Sequence, residues 1–334
     1  MKMKIDEYNL EAIIGKGFGN VYLTSVKDDP KKYVTKVYER KEIENNAIMD
    51  CLRREVISLR DLNHPNIIKI KDVKKNEKQY FLIYEYCNGG KLSQALEKYL
   101  EKYQKPFPEE IVQHLMKQII DAIKYIHGKK IIHRNINLDN ILLNYENEGD
   151  SKNINLMKAK IKITDFYYSE IIYDDMWDTK EPPNFNIKSI MKNSKNTMKL
   201  GNNEEDDIYS IGTICYQMLI GKRIFKEKEI ENSNKQIKKS IYFVPNILSY
   251  EIVSFINGML QSNPYKRLTA SELSRHYFLN KDIRQFKIIK LVKGNPVKIQ
   301  SNEIDISNIW SIFDKKEEWF LSSILGSQCV KPIV

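Results

Sequence analysis

The residues best suited to chemistry fall in seven short segments of the chain. The first is a glycine-rich turn, Ile14-Gly15-Lys16-Gly17-Phe18-Gly19-Asn20-Val21. Glycines let a backbone lie close to phosphate groups, because no Cβ atom stands in the way. An ordinary β-hairpin turn has the same composition, so this segment alone is weak evidence for a phosphate-binding site.

The other six segments follow in order along the chain. They are Lys36 at the end of Val34-Thr35-Lys36, Glu55, the loop His133-Arg134-Asn135 with Asn140 five residues later, Asp165-Phe166-Tyr167, Asp207, and Arg267 in Asn263-Pro264-Tyr265-Lys266-Arg267-Leu268. Taken singly, a lysine or a glutamate is usually a surface residue, and an asparagine in a loop is usually a turn residue. The order of all seven segments is therefore the informative feature.

Strands and one helix are predicted around the first three segments. Residues 8–26 have the pattern of strand, turn and strand, Tyr33 to Tyr38 form a short β-branched and aromatic run, and two further strands are predicted at 67–74 and 79–86. Apolar residues at helical spacing predict a helix over 46–61, which carries Glu55.

The rest of the chain to about residue 280 is predicted to be mainly helical. Apolar stripes indicate helices from near Pro108 to Gly128, over 207–220, over 250–260 and over 269–276. The segments 144–158 and 168–206 have little periodicity, so both are predicted to be irregular.

With its seven segments in this order, the chain resembles a eukaryotic protein kinase over roughly residues 8–280. The stretches IYEYCNGGKL, HRNINLDNILL and SIGTICYQMLIGK are most similar to the ULK, autophagy-initiating subfamily of Ser/Thr kinases. The resemblance implies an α+β, bilobal kinase fold. It comprises a five-stranded, β-rich N-lobe with an αC helix (1–86), a larger helical C-lobe (87–280) with an insertion near 144–158 and an irregular activation segment over 165–206, and a C-terminal extension (281–334).

The resemblance also assigns binding roles for ATP and Mg²⁺. Lys36 matches the lysine that holds the α- and β-phosphates, and Glu55 matches its ion-pair partner. Asn140 and Asp165 match the two metal ligands and offer the oxygen atoms that Mg²⁺ prefers. The other matching positions are Gly15, Gly17, Gly19 and Val21 at the phosphates, Val34 and Leu142 around the adenine, Glu85 and Cys87 in the hinge, Tyr84 as a bulky gatekeeper that closes the back pocket, and Lys91 where many members place a ribose-binding acid.

Four positions depart from the family pattern in ways that weaken catalysis. Asn135 replaces the catalytic Asp, and a carboxamide cannot take a proton from a substrate hydroxyl. Asn137 replaces the catalytic-loop Lys, which removes a positive charge near the transferred phosphate. Tyr167 replaces the Gly of the DFG motif. The backbone at this position therefore loses the freedom of glycine to adopt positive φ. Ser189 replaces a buried Glu of the activation segment, next to Lys188 in place of a Pro.

Two more departures concern the glycine-rich turn and Arg267. The turn is one residue short between its second and third glycines, so its tip is predicted to be retracted and to cover the phosphates poorly. Arg267 loses its usual acidic partner, because no Asp or Glu occurs from Pro182 to Asn203. An unpaired buried arginine is costly, so Arg267 is expected to find another acceptor or to reach solvent.

Composition excludes several other classes of protein. Of 334 residues, 42 % are hydrophobic and 29 % charged, a globular balance that rules out wholesale disorder. The net charge is +10, but lysines are scattered, so no nucleic-acid partner is predicted; the basic stretches 27–41 and 281–293 stay candidate partner surfaces. The four cysteines lack metal-binding spacing and indicate reduced thiols of an intracellular, cytoplasmic protein. No apolar run is long enough for a signal peptide or a membrane span.

The C-terminal extension carries an amphipathic pattern. Apolar residues near helical spacing predict a helix over about 306–325, namely Ile306, Ile309, Phe313, Phe320 and Ile324. This helix either packs on the body of the protein or binds a protein partner, and both interpretations stay open.

The sequence therefore predicts a ULK-like pseudokinase that is catalytically impaired, can bind Mg·ATP and acts as a scaffold or allosteric partner. One alternative is a weakly active Ser/Thr protein kinase that transfers the γ-phosphate of ATP to protein. Another is a structural subunit without nucleotide.

Overall fold

Alternating apolar residues in the first 85 positions build one antiparallel sheet. The computed structural model describes residues 3–17, 19–43, 46–172, 204–222 and 248–280, and within these ranges the sheet has six strands in the order β1-β2-β3-β4-β6-β5. The strands are β1 (Met3–Ile5), β2 (Tyr8–Gly17), β3 (Gly19–Val26), β4 (Asp29–Glu39), β5 (Ile70–Lys75) and β6 (Gln79–Glu85).

The prediction of a five-stranded sheet is wrong by one strand. Residues 3–5 pair with β2 across a two-residue turn, with Ile5 opposite Tyr8. Met3 and Ile5 pack against a small apolar cluster that includes Leu10 and Phe81. Three residues are too few to show the alternation of a strand, so β1 could not be predicted from its residue pattern.

The two faces of strand β4 differ in burial, and the half-buried face carries Lys36. Tyr33, Thr35 and Val37 are buried on one side, while Val34 and Lys36 are half-buried on the other. Side chains two residues apart on a strand share a face. Lys36 and Val34 therefore lie on the same face of β4, as their predicted roles at one nucleotide require.

Helix α2 (Asn46–Asp61), which follows the short α1 (Arg40–Ile43), occupies the bounds predicted from its periodicity. Leu52, Glu55 and Leu59 are buried on one face of α2. Leu52 and Leu59 belong to the main core, so their packing sets the rotation of the helix that carries Glu55.

The following part of the chain is mainly helical, as predicted. In the described part of this region the helices are α3 (Leu92–Tyr103), α4 (Glu109–Gly128), α5 (Glu148–Lys152), α6 (Glu205–Ile220), α7 (Tyr250–Met259), α8 (Ala270–Arg275) and α9 (Tyr277–Asn280). Helix α4 begins after Pro108, and side chains such as Ile119 and Ile123 are fully buried in the core. Helix α6 begins two residues before its predicted start.

Two short strand pairs carry the loops of the candidate site. Strand β7 (Ile131–Ile132) pairs with β10 (Glu170–Ile171), and β8 (Ile141–Asn144) pairs with β9 (Lys160–Ile163). Both pairs are antiparallel. They bring residues 133–140 next to residues 164–169, although about 30 positions separate these segments.

The prediction that residues 144–158 are irregular is wrong in part. This segment holds α5 and a 3₁₀ turn, Leu156–Lys158. The hydroxyl of Ser151 donates to the carbonyl of Asn88 at 2.8 Å, which ties the segment to the body. A short polar helix has no apolar stripe, so periodicity could not reveal it.

Several predictions fall outside the described ranges. These are the activation-segment residues Lys188 and Ser189 and the helix at 306–325. Among the helices that the structure describes, none combines the length and the hydropathy needed to cross a bilayer.

Candidate functional site

Lys36, Glu55 and Asp165 meet at one point, as their predicted roles require. The Nζ atom of Lys36 lies 3.2 Å from Oε1 of Glu55 and 3.3 Å from Oδ1 of Asp165. These residues come from β4, α2 and the loop after β9. The contact therefore joins the N-terminal sheet, helix α2 and the loop between β9 and β10.

Neighbouring carboxylates keep the side chain of Lys36 protonated. Burial alone would lower the pKa of this ammonium, but the carboxylates of Glu55 and Asp165 raise it well above its usual range. The Glu55 side chain is fully buried, whereas that of Asp165 is 30 % exposed. Lys36 is therefore a permanent cation that faces the more open carboxylate.

The loop 133–135 is fixed by a buried acid, Asp207, at the start of α6. Its two carboxylate oxygens accept from the backbone N–H groups of His133 and Arg134, both at 2.8 Å, and its Oδ2 also lies 3.0 Å from Nε2 of His127. Burial would raise the pKa of Asp207, but the hydrogen bond from His127 and the nearby His133 bring it below the usual value.

His133 links this loop to the strand end before Asp165. Its Nε2 lies 3.1 Å from the carbonyl oxygen of Thr164, and its Nδ1 accepts from the backbone N–H of Asn135 at 3.2 Å. Burial lowers the pKa of the imidazole, so the ring is neutral with the proton on Nε2. The neutral ring thus connects the loop 133–135 to Thr164, the residue before Asp165.

Asn135 forms part of a directed chain of amide hydrogen bonds. Its Nδ2 donates to Oδ2 of Asp165 at 2.8 Å, and its Oδ1 accepts from Nδ2 of Asn137 at 3.1 Å. A carboxylate can only accept, so the amide must present its NH₂ group to Asp165. The side chain at the predicted base position therefore stabilises a neighbouring anion and has no site for a proton.

Asn137 and Asn140 hold the same loop in shape. Oδ1 of Asn137 accepts from the backbone N–H groups of Asp139 and Asn140, and caps a 3₁₀ turn over Leu138–Asn140. Nδ2 of Asn140 donates to the carbonyl oxygen of Asn135 at 2.9 Å. Because its NH₂ group is engaged in this way, the oxygen of the Asn140 amide is its available ligand atom.

In the segment Asp165-Phe166-Tyr167, the residue with a strained backbone is Asp165 and not Tyr167. Asp165 lies in the left-handed region with φ 69° and ψ 60°, and residues Phe166–Tyr168 form a 3₁₀ turn. Tyr167 is buried, and the fully buried Phe166 packs edge-on against His133 with ring centroids 4.5 Å apart. The loss of glycine at position 167 is therefore absorbed without positive φ at that residue.

The glycine-rich turn is a tight hairpin. Strands β2 and β3 stay paired up to Gly17 opposite Gly19. Gly19 has φ +109°, and a Cβ atom there would lie 2.6 Å from the carbonyl oxygen of Val37, whereas one at Gly15 would make ordinary contacts with Val21. Of Gly15 and Gly19, only Gly19 is thus required by its own backbone.

Three residues predicted to contact the nucleotide lie on strands: Val21 at the phosphates, and Val34 and Leu142 around the adenine. Their contacts with a nucleotide stay predictions. Val21 faces Lys36 and Val34 faces Tyr84 in the ladders of the sheet, while Leu142 lies on β8. Val21, Val34 and Leu142 are half-buried, whereas Cys87 is buried.

Two charged residues near the hinge pair within the chain. Glu85 binds Nζ of Lys162 at 2.8 Å, and Lys91 lies 3.6 Å from Asp139. Lys91 therefore contacts an acid of the loop 133–140. The backbone roles of Glu85 and Cys87 stay predictions.

Arg267 found other acceptors, as expected from the loss of its partner. Its side chain is 8 % exposed, and its Nε and Nη1 atoms donate to the carbonyl oxygens of Gln261 and Glu205 at 2.9 and 2.8 Å. Asp206 lies 3.5 Å away, and the guanidinium sits 4.7 Å from the ring centre of Tyr209. Two residues at the start of α6, Glu205 and Asp206, thus provide a carbonyl acceptor and a carboxylate for Arg267, in place of the Glu that Ser189 replaces.

A cavity of about 720 Å³ opens beside these loops. Its lining includes Asn135, Asn137, Asn140 and Asp165, together with Asp139. The two predicted metal ligands and the two substituted catalytic positions therefore share one space.

Two functional contacts were missed from the sequence. Tyr84, seen there only as a bulky gatekeeper, donates its hydroxyl to Oε1 of Glu55 at 2.8 Å. Asp207 was noted for its place in the chain without its role as anchor of residues 133–134. An aspartate opening an apolar helix is the signal that could have identified the second, since charge at such a position needs buried partners.

Comparison with known proteins identifies related sequences. The family model described as protein kinase domain matches residues 8–279. An Aurora kinase from Debaryomyces hansenii is 30 % identical over 282 residues, which cover 82 % of this chain and 62 % of that protein. A carbon catabolite-derepressing protein kinase from Secale cereale is 31 % identical, with coverage of 83 % and 52 %. Aurora kinase B from Mus musculus is 28 % identical, with coverage of 84 % and 75 %.

The match covers only part of the length of each relative named above. For the first two named above, this chain spans between about half and two thirds of their length. Similarity therefore concerns the region of the family model, and the remaining parts of the relatives have no counterpart in the match.

Proposed function

The chain belongs to the protein kinase family, and from this premise we propose that it is a catalytically impaired member that binds Mg·ATP. The supporting observation is the chain of hydrogen bonds from Asn137 through Asn135 to Asp165. At the base position, an amide donates to the metal-ligand carboxylate. Loss of a general base typically lowers a rate by ~10²–10⁴.

The donor set fits Mg·ATP. Asp165 offers a carboxylate and Asn140 an amide oxygen, which are hard ligands suited to Mg²⁺. Lys36 supplies a permanent cation for phosphate oxygens, and Glu55 orients it. When bound, the metal would neutralise charge on the phosphates. The hydrogen bond from Asn135 occupies one lone pair of Asp165 Oδ2, so further lone pairs remain for a cation.

The finer assignments of the proposal are a ULK-like subfamily, a scaffolding or allosteric role and a cytoplasmic location. Three stretches of sequence support the first: IYEYCNGGKL, HRNINLDNILL and SIGTICYQMLIGK. A protein partner, bound through the C-terminal extension, follows from its amphipathic pattern. Fold likeness does not fix a biological role, so each assignment needs its own test.

A weakly active Ser/Thr protein kinase is the second candidate. The observation that favours it is the assembled contact of Lys36 with both Glu55 and Asp165. Phosphoryl transfer depends largely on positioning and electrostatics, so such a site keeps part of its rate without a base. A structural subunit without nucleotide would have no use for this contact.

Calorimetric titration with ATP and Mg²⁺ tests the proposal. We expect wild type to bind, Lys36→Ala to lose measurable binding, and Lys32→Ala to bind like wild type. Lys32 lies on the same strand with an exposed side chain, so it controls for the loss of one charge. Absence of heat in wild type at millimolar ATP would refute nucleotide binding and favour the structural subunit.

A further inference from the structure

The gatekeeper position carries a hydroxyl group that contacts helix α2. Tyr84 is 3 % exposed, and its OH donates to Oε1 of Glu55 at 2.8 Å. The same oxygen accepts from Nζ of Lys36 at 3.2 Å, and that Nζ atom lies 5.4 Å from the centre of the Tyr84 ring. One tyrosine thus contacts both members of the ion pair.

Glu55 depends on these two donors. Its side chain is fully buried, and among the described residues its Oε2 atom has no hydrogen-bond partner. A buried carboxylate requires compensation, and here Oε1 receives it from Tyr84 and Lys36. Removal of the Tyr84 hydroxyl leaves Lys36 as the one donor to the Glu55 carboxylate among the described residues, in addition to the apolar packing of α2.

Tyr84 is a suitable anchor because its strand cannot move easily. Strand β6 lies between β4 and β5, and Tyr84 faces Val34 on one side and Ile70 on the other. Burial, followed by the Glu55 carboxylate, raises the pKa of the phenol well above its usual value, so the hydroxyl keeps its proton. The donor is therefore fixed in place and in protonation state.

We propose that Tyr84 is a positioning residue of the nucleotide site, whose hydroxyl holds Glu55, and with it helix α2, where Lys36 can bind phosphate. The role rests on the proposed Mg·ATP binding. It goes beyond filling the space behind the adenine, since a phenylalanine ring would fill that space equally well. The aromatic ring excludes larger ligands, and the hydroxyl group positions the ion pair.

The variant Tyr84→Phe removes only the hydroxyl. Tyr8→Phe is its matched control, because Tyr8 is equally buried at 3 % and donates to a carboxylate, Asp72, in the same sheet. Two ligands separate positioning from general damage: ATP with Mg²⁺, which uses Lys36, and adenosine, which has no phosphate. Hydrogen exchange of the α2 amides, measured without nucleotide, reports on the helix directly.

In Tyr84→Phe we expect ATP to bind about tenfold more weakly, adenosine to bind unchanged, and the amides of α2 to exchange faster than in wild type. Tyr8→Phe should match wild type in ATP affinity and in exchange of α2. Unchanged ATP affinity and unchanged exchange in Tyr84→Phe would overturn the inference while wild-type binding upholds the proposed function. If wild type binds no ATP yet α2 exchanges faster in Tyr84→Phe, the proposed function fails and the anchoring of α2 stands. Equal weakening of adenosine and ATP would also overturn it, as a sign of general damage.

Discussion

At the scale of single residues, the exchange of a carboxylate for an amide at position 135 changes an interaction as well as removing a base. The amide donates to Asp165 where a carboxylate would face another carboxylate. Two such groups at hydrogen-bond distance repel each other unless a proton or a cation lies between them. The site is thus stabilised without a metal, at the cost of the proton acceptor.

Reversion of this residue should make stability depend on Mg²⁺. Asn135→Asp should lower the free energy of unfolding by about 1–3 kcal/mol without a divalent ion, because a hydrogen bond to a charged group is replaced by repulsion. Addition of Mg²⁺ should restore much of the loss. Chemical denaturation with Mg²⁺ and with EDTA measures both effects.

Asn155→Asp provides the control for this experiment. Asn155 also donates an amide hydrogen bond to a carboxylate, Asp150, at 3.3 Å, and neither residue lines the cavity at Asp165. Its stability should respond to Mg²⁺ much less than that of Asn135→Asp, because the ammonium of Lys158, 3.2 Å from Asp150, already supplies a cation. An Asn135→Asp protein as stable as wild type in EDTA would contradict the assigned hydrogen bond.

At the scale of elements, helix periodicity predicted α2 and α4 within a residue, because their buried faces repeat every three to four positions. Strand β1 and helix α5 were missed, since one is too short and the other too polar to show a pattern. The contacts of Tyr84 with Glu55 and of Asn135 with Asp165 join residues 29 and 30 positions apart. Matching motifs bring these residues into one site, but the direction of each hydrogen bond depends on how the loops and strands pack in three dimensions.

The hairpin of β2 and β3 offers a test of the glycine requirement. Gly19→Ala should lower the free energy of unfolding by about 2 kcal/mol, because of its positive φ and the close approach to the Val37 carbonyl. Gly15→Ala should cost much less, since its Cβ atom would lie 3.5 Å from that of Val21. Denaturant unfolding of both variants measures the two losses of free energy. Equal losses would show that the backbone at Gly19 does not have the conformation described.

At the scale of the whole molecule, Asp207 connects α6 and α4 with the loop at 133–135 through three donors. Its lowered pKa means that the folded state favours the ionised form. The resulting stability is present above the pKa of the unfolded chain, about 3.9, and is lost as pH falls through the folded value. The anchor of the loop therefore contributes stability near neutral pH, and acid removes this contribution.

Asp207→Asn should therefore destabilise the protein by about 2–4 kcal/mol near neutral pH, because an NH₂ group would face N–H donors. The difference from wild type should begin to shrink below about pH 4, where Asp207 of the unfolded chain takes up a proton, and should shrink further as pH falls through the lower pKa of the folded state. Asp206→Asn is the neighbouring control, with a side chain 49 % exposed and an expected effect below about 1 kcal/mol. Urea unfolding across pH measures the difference, and a pH-independent loss would argue against the charge as the cause.

Radiolabelled phosphate transfer from ATP measures whether the chain is catalytically impaired. The assay compares wild type, Asn135→Asp, and the double variant Asn135→Asp with Asn137→Lys, on a protein substrate and on the chain itself. Asp165→Ala provides the blank, because it removes the metal-ligand carboxylate. Ordinary protein kinases turn over at ~1–100 s⁻¹.

We expect wild type to lie at or near the blank, since the missing base alone lowers the rate by ~10²–10⁴. The single reversion should recover little, because the positive charge at 137 is still absent, and the double reversion should recover more. Wild-type turnover within about tenfold of an ordinary kinase, abolished by Asp165→Ala, would contradict the account and make this chain an active kinase.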